Sequence, residues 1–144
     1  MWDKYQACKM LSIPYRVYDM PKEIGGYSNL MDRYIHINPN QAEDDRVWAH
    51  EIAHTLLHFQ QVDSAAGQNR TLNALAEIEA DTVAYIVTCT LGLENKDYVR
   101  YIRKFMRNVP VRLIYGIILD EAKWSKLEQT AHTILKAGGY YEQQ

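Results

Sequence analysis

The stretch from Val47 to His58 constrains the fold more than any other part of this 144-residue chain. It contains the pattern His50-Glu51-x-x-His54 among apolar residues. Residues four apart lie on one face of a helix, so the two histidines can bind one ion together. Glu51 projects about 100° round the helix axis, where it can reach a zinc-bound water without becoming a third ligand. We therefore predict a zinc site rather than a chance match on a structural helix, whose buried polar groups would be costly.

Composition is that of an ordinary soluble globular protein, with 47% hydrophobic and 24% charged residues. The length fits a single domain, 1–144. A net charge of -2 gives no general attraction to nucleic acid or acidic membranes. No apolar run approaches the roughly 20 residues of a membrane span, and the N-terminus does not resemble a signal peptide. We expect a cytoplasmic protein without membrane contact, in which Cys8 and Cys89 are small buried hydrophobic residues.

Hydrophobic periodicity predicts an α+β fold, with a small antiparallel sheet on the N-terminal side packed on a helical core. The strands are expected at residues 15–20, 27–31 and 34–38. The helices are expected at residues 2–11, 41–60, 71–91, 96–107 and 110–136. Asn40 and Glu43 have the spacing of a capping box at the start of the second helix. The last helix is expected to bend near Gly116 or Trp124.

A catalytic zinc usually takes three protein ligands, so one more must come from elsewhere in the chain. The next predicted helix offers the carboxylates of Glu77, Glu79 and Asp81. Glu77 and Asp81 share a stripe beside small residues that would let this helix approach the first one closely, which makes Glu77 the favoured ligand. Asp81 can accept a hydrogen bond from the free ring nitrogen of His50 or His54. Glu79 is interpreted as solvated and remains the alternative ligand.

These two segments resemble a known family. Residues 50–58, His-Glu-Ile-Ala-His-Thr-Leu-Leu-His, followed by residues 77–84, Glu-Ile-Glu-Ala-Asp-Thr-Val-Ala, are similar to the ImmA/IrrE metallopeptidases. The pattern of that family is His-Glu-x-x-His and then Glu-x-x-Ala-Asn/Asp-x-Phe-Ala on the next helix. Val83 stands where the family usually has phenylalanine, which changes packing and leaves the ligands in place. The segment from Ala80 to Leu93 also resembles the zinc domain of ArdC-type antirestriction proteins.

The resemblance implies a zincin-like core of the gluzincin kind, with zinc on His50, His54 and Glu77 and with Glu51 as the catalytic base. It implies a zinc metallo-endopeptidase that hydrolyses a specific intracellular protein, such as a transcriptional repressor, through a zinc-bound water activated by Glu51. It also implies an origin on a phage, a plasmid or another mobile element.

A basic stripe leaves a second function open, that of a nucleic-acid-binding or antirestriction-type module whose zinc is mainly structural. Arg100, Arg103, Lys104 and Arg107 recur at helical spacing and could contact DNA phosphates. The ArdC-type resemblance points to the same class of partner. A solvated helix face is the simpler interpretation of the stripe. A third possibility is a pseudo-enzyme that acts on one protein by binding it.

Several further residues are candidates for parts of the site. The oxyanion of a peptidase reaction could be stabilised by His36, Tyr115, His132 or Tyr141. His58 lies two turns from His50, too far to share one ion, and is interpreted as a helix-end residue favoured by the helix dipole. The strand at 34–38 could bind an extended substrate by edge pairing. Substrate identity and oligomeric state stay open.

Overall fold

A three-stranded sheet and six helices account for most of the part of the chain that the structure describes. The structure is a computed structural model that describes residues 1–22, 24–29, 33–58, 70–94, 98–107, 109–118 and 120–143. The elements are α1 (Lys4–Met10), β1 (Tyr15–Val17), β2 (Gly26–Asn29), β3 (Tyr34–Ile37), α2 (Asp45–Leu57), α3 (Arg70–Thr90), α4 (Tyr98–Met106), α5 (Val111–Ile118) and α6 (Glu121–Ala137), with 3-10 turns at Pro39–Gln41 and Tyr140–Gln143. The predicted α+β class is confirmed.

The sheet is mixed, with the strand order β1–β3–β2. β3 pairs antiparallel with β2 but parallel with β1, where Tyr15 lies opposite Ile35. The predicted all-antiparallel sheet was therefore wrong for β1, because β2 is inserted between β1 and β3 along the chain and lets both run in the same direction. β3 is paired on both sides, so it cannot bind a substrate by edge pairing. Among the described residues, β1 and β2 form the two edges of this sheet.

The helix of the metal motif, α2, begins at Asp45. The chain forms a 3-10 turn at 39–41 first, and Asp44 then caps α2 by accepting a backbone N–H of its first turn. The capping box predicted from Asn40 and Glu43 was wrong, because this turn separates Asn40 from the start of the helix.

The C-terminal helical pattern forms two helices instead of one bent helix. α5 ends at Ile118, and Asp120 caps α6 by accepting the backbone N–H of Lys123. The break therefore lies at Asp120, and the bend predicted near Gly116 or Trp124 was wrong. Within the described ranges, no helix is both long enough and apolar enough to cross a membrane.

The core is built around α2. One side of α2 is completely buried, through Trp48, Ala49, Ile52 and Ala53. The sheet, α3 and α6 complete the core with Ile35, Ile37, Ala80, Val83, Ala84, Val87, Leu127, Ala131 and Ile134. Cys8 belongs to this core as predicted, whereas Cys89 is exposed at the end of α3 and the expectation of its burial was wrong.

Gly26 allows β2 to pass close to α2 and to the central strand. A Cβ atom at this position would lie 2.8 Å from the carbonyl oxygen of His36 and 3.2 Å from Cγ of Glu51. The first distance is too short for any side chain, and the obstacle is backbone that cannot swing aside. A glycine is therefore required where the sheet approaches the metal-motif helix.

We expect Gly26→Ala to lower the free energy of unfolding by about 1–3 kcal/mol, because β2 or its neighbours must shift. Gly116→Ala is the control: it lies inside α5 with nothing within 4 Å of an added Cβ. Alanine should stabilise that helix by roughly 0.5–1 kcal/mol. Urea unfolding measures both changes. A Gly26→Ala protein as stable as the wild type would show that the contact relaxes without cost.

Candidate metal centre

Three side chains from α2 and α3 meet at one point. His50 and His54 lie one turn apart on α2, and their Nε2 atoms are 3.1 Å apart. Glu77 of α3 places Oε2 at 3.1 Å from Nε2 of His50 and Oε1 at 3.0 Å from Nε2 of His54. The structure thus brings together the three residues that the sequence predicted as ligands.

The spacing of these donors fits a divalent ion. Their ligand atoms all lie within 4.8 Å of one another. A tetrahedral zinc with bonds of about 2.0–2.1 Å would hold its ligand atoms about 3.3–3.4 Å apart, close to the distances found between the two imidazoles and the carboxylate. Two imidazole nitrogens and a carboxylate are also a donor set typical of catalytic zinc. The cluster can therefore hold a metal ion with little rearrangement.

Asp81 orients His50. Its Oδ1 lies 2.7 Å from Nδ1 of His50, and the ring nitrogen donates to the carboxylate. Asp81 is one turn beyond Glu77 on α3, so the same helix face supplies a ligand and a support for another ligand. The sequence predicted such a bond to either of two histidines, and the contact is with His50.

The charges of the cluster are strongly coupled. Burial alone would lower the pKa of His50, but its hydrogen bonds with Asp81 and Glu77 and the charge of Glu51 raise that pKa to about 10. Burial would raise the pKa of Glu77, but hydrogen bonds from His50 and His54 hold it far below its ordinary value. An ion entering the cluster must therefore displace a proton from His50.

Glu51 lies beside the cluster and is held by the strand β2. The hydroxyl of Ser28 donates to Oε2 of Glu51 over 2.6 Å. The other oxygen, Oε1, lies 4.0 Å from Nε2 of His50. One oxygen of the carboxylate is thus fixed by the sheet, and the other lies on the ligand side. Sequence reasoning missed Ser28, because nothing local in an irregular strand shows that it meets a helix 23 residues later.

His58 and Glu79 are buried, with 1% and 9% of their surfaces exposed. His58 lies at the C-cap of α2, as its helix-end interpretation requires. Its Nδ1 is 2.9 Å from Nδ1 of His54, and its Nε2 is 3.4 Å from Oε2 of Glu79. Oε1 of Glu79 lies 2.9 Å from Nζ of Lys123 on α6. The interpretation of Glu79 as solvated was wrong, because it pairs with these two side chains.

The pKa values of His58 and Glu79 are both lowered, but by different causes. Burial lowers the pKa of His58, and the hydrogen bond to Glu79 offsets this only in part. Burial would raise the pKa of Glu79, but hydrogen bonds from His58 and Lys123 lower it. At neutral pH the pair is therefore a neutral imidazole and a carboxylate.

None of the three described candidates for oxyanion stabilisation lies at the metal cluster, and the side chain of the fourth is not among the described residues. His36 alternates with the core-facing Ile35 and Ile37, and so lies on the opposite face of the sheet from Ser28. Its ring stacks on Tyr27 with centroids 4.6 Å apart. The remaining two described candidates, His132 and Tyr141, bond to each other over 3.0 Å on an exposed surface. The fourth candidate, Tyr115, has a side chain outside the described residues.

The predicted basic stripe lies along the exposed face of α4 and continues to Arg107, one residue beyond the end of that helix. Its members Arg100, Arg103, Lys104 and Arg107 are all exposed. On the other side of the helix, Ile102 and Met106 pack against a small cluster that includes Ile78 and Val109. This is the arrangement expected of an amphipathic surface helix.

Comparison with protein families places this geometry in a known group. The model of the Peptidase M78 family, described as the IrrE N-terminal-like domain, matches residues 13–88, more than half of the chain. The chain belongs to this family. The matched segment runs from the sheet to most of α3. It contains the three residues of the cluster and also Glu51 and Asp81. The predicted resemblance to the ImmA/IrrE metallopeptidases is confirmed, whereas the resemblance to ArdC-type proteins is not shown. Curated proteins and solved structures gave no significant match.

We expect the binding of a divalent ion at pH 7 to release about one proton per chain, because His50 holds a proton below its pKa of about 10. The apparent affinity should then rise by about tenfold per pH unit from neutral pH toward that pKa. Titration calorimetry of chelator-treated protein, in buffers with different ionisation enthalpies, counts the proton.

Asp81→Asn is the matched variant for this measurement. The amide keeps an acceptor for His50 but removes a negative charge, so the pKa of His50 should fall and less proton should be released at pH 7. Wild-type protein that binds the ion at pH 7 without releasing a proton would contradict the expected protonation of His50.

Proposed function

We propose that this chain is a zinc-dependent peptidase that cleaves a specific protein inside the cell. The observation that carries the proposal is the carboxylate of Glu51, fixed by Ser28 and placed beside the convergent His50, His54 and Glu77. A metal-binding cluster needs no such neighbour for structure alone. Membership of the Peptidase M78 family supports the same chemistry.

In this proposal His50, His54 and Glu77 hold the zinc, and Asp81 keeps the ring of His50 in place. When bound, zinc would polarise the carbonyl of the scissile peptide and make a water molecule more acidic. The three residues lie on two helices that pack tightly in the core, so the donors are positioned before the ion arrives. Such preorganisation is what a catalytic metal site requires.

Glu51 acts as the general base in this proposal. It takes the proton of the attacking water and later passes it to the leaving amine. Ser28 donates to Oε2, which leaves Oε1, the oxygen nearer to His50, as the proton acceptor. Burial of Glu51 at 5% exposure keeps this exchange away from bulk solvent.

The strand β2 offers a way to present a protein substrate. It is an edge strand, and its residue Ser28 contacts Glu51 directly. An extended segment of substrate added to this edge would therefore run past the catalytic carboxylate.

A narrow target such as a transcriptional repressor, and an origin on a mobile element, are further proposals that rest on the resemblance to the ImmA/IrrE metallopeptidases.

A nucleic-acid-binding module with structural zinc has less support. Structural zinc sites usually have four protein ligands, whereas the described residues supply three that meet. The exposed cations of α4 are explained by its amphipathic packing and need no bound phosphate.

We expect Glu51→Gln to keep one zinc per chain and to lose peptidase activity by about 10²–10⁴-fold, because an amide cannot accept the proton. Wild-type and variant proteins loaded with zinc are incubated with a proteome-derived mixture of native proteins. Labelling of new amino termini and mass spectrometry then identify cleavages. Equal cleavage by both proteins would exclude Glu51 as the base, and no cleavage by wild-type protein would count against the proposed activity.

Glu77→Gln and Glu79→Gln separate the two carboxylates that the sequence left open as ligands. We expect Glu77→Gln to lose bound zinc after dialysis, since a neutral amide is a poor zinc ligand. Glu79→Gln should still bind one zinc per chain when zinc is in excess, because Glu79 bonds to His58 and Lys123 outside the cluster. Elemental analysis decides, and the reverse result would make Glu79 the ligand.

A further inference from the structure

Two buried polar side chains and a partly exposed lysine form a row that leads from the metal cluster to the surface at the start of α6. We call it the His58 relay and define it as His58, Glu79 and Lys123. It touches the cluster at one point, where Nδ1 of His58 lies 2.9 Å from Nδ1 of His54. We infer that the relay positions His54 by fixing which nitrogen of its ring carries the hydrogen. The inference rests on the proposed metal centre and adds a determinant of its affinity.

Each hydrogen bond of the relay has one direction, which can be followed from Lys123 inward. An ammonium group only donates, so Oε1 of Glu79 accepts at 2.9 Å. A carboxylate only accepts, so Nε2 of His58 donates to Oε2 at 3.4 Å. A neutral imidazole with its hydrogen on Nε2 has a lone pair on Nδ1, and this lone pair accepts the Nδ1 hydrogen of His54. With an ion in the cluster, the ring of His54 then offers the lone pair of Nε2, the atom that lies 3.0 Å from Oε1 of Glu77, to that ion.

The opposite order of hydrogens would disable the ligand. If His58 donated from Nδ1, His54 would have to accept at Nδ1 and carry its hydrogen on Nε2. That nitrogen could then no longer bind an ion. The carboxylate of Glu79 prevents this arrangement, because it requires a hydrogen on the far nitrogen of His58.

The two ligand histidines are therefore held in different ways. His50 donates to the carboxylate of Asp81, which brings a negative charge next to the centre. His54 donates to an imidazole, and the carboxylate behind that imidazole is paired with Lys123. The relay thus fixes the ring of His54 without adding net charge to the cluster.

The decisive comparison is between His58→Leu and His58→Gln. Leucine fills similar space but cannot accept a hydrogen bond from His54. Glutamine can accept with its carbonyl and donate to Glu79 with its amide. We expect zinc affinity, measured by competition with a chromophoric chelator, to fall about 10–100-fold in His58→Leu. His58→Gln should recover most of this loss.

Two lysines of α6 provide a matched pair that avoids the buried core. Lys123→Met removes the ammonium group that pairs with Oε1 of Glu79. Glu79 is then held less firmly against His58, and zinc binding should weaken. Lys126→Met removes an exposed cation from the same helix and should leave zinc binding unchanged.

Nitrogen–proton NMR spectra of the imidazole rings in zinc-loaded wild-type protein should show hydrogens on Nδ1 of His54 and Nε2 of His58. Unfolding midpoints of the chelator-treated proteins identify any variant that fails to fold.

The results separate the relay from the proposed function. A His58→Leu protein that folds and binds zinc as tightly as the wild type would overturn the relay. Equal losses in His58→Leu and His58→Gln would show that packing, not the acceptor, matters. Should His58→Leu not fold, Lys123→Met and the NMR assignment of hydrogens decide. Wild-type protein without zinc affinity would refute the metal centre itself, whereas wild-type zinc binding with unaffected variants would refute the relay alone.

Discussion

The close contact between α2 and α3 is the constraint on which the rest of the structure depends. Fully buried alanines on both helices, such as Ala53 on α2 and Ala80 on α3, allow the helix axes to approach. Because the helices lie close together, the carboxylate of Glu77 on α3 reaches the imidazoles of His50 and His54 on α2. Larger side chains at the contact would separate the two helices and the ligands with them. The core packing and the metal cluster are therefore two results of the same contact.

Residues on one helix face could be predicted from the sequence because helical spacing is local information. The pairing of His50 with His54, and the preference for Glu77 over Glu79, both follow from periodicity, and the structure places these side chains accordingly. The parallel pairing of β1 could not be predicted in this way, because strand order depends on which segments meet across the chain. Only the observed strand order shows that β2 is one of the two edge strands.

The supporting residues escaped prediction for the same reason. Ser28 meets Glu51 across 23 residues, and Lys123 meets Glu79 across 44, with no sequence pattern that links either pair. Glu79 was interpreted as solvated because its helix face pointed away from Glu77. That direction was correct, but another helix, α6, covers the face. Burial by a distant element is information that helical periodicity does not contain.

Helix α6 lies beyond the segment that matches the family, yet it packs against the candidate metal centre. The residues shared with the IrrE N-terminal-like family end at position 88, yet the last member of the His58 relay lies at position 123. The same helix accepts a hydrogen bond from the indole of Trp2 at the carbonyl of Ile134. A segment cut to the family boundaries would contain every metal donor and lack both of these anchors. The part of the chain that contains the candidate metal donors is thus smaller than the part that packs against them.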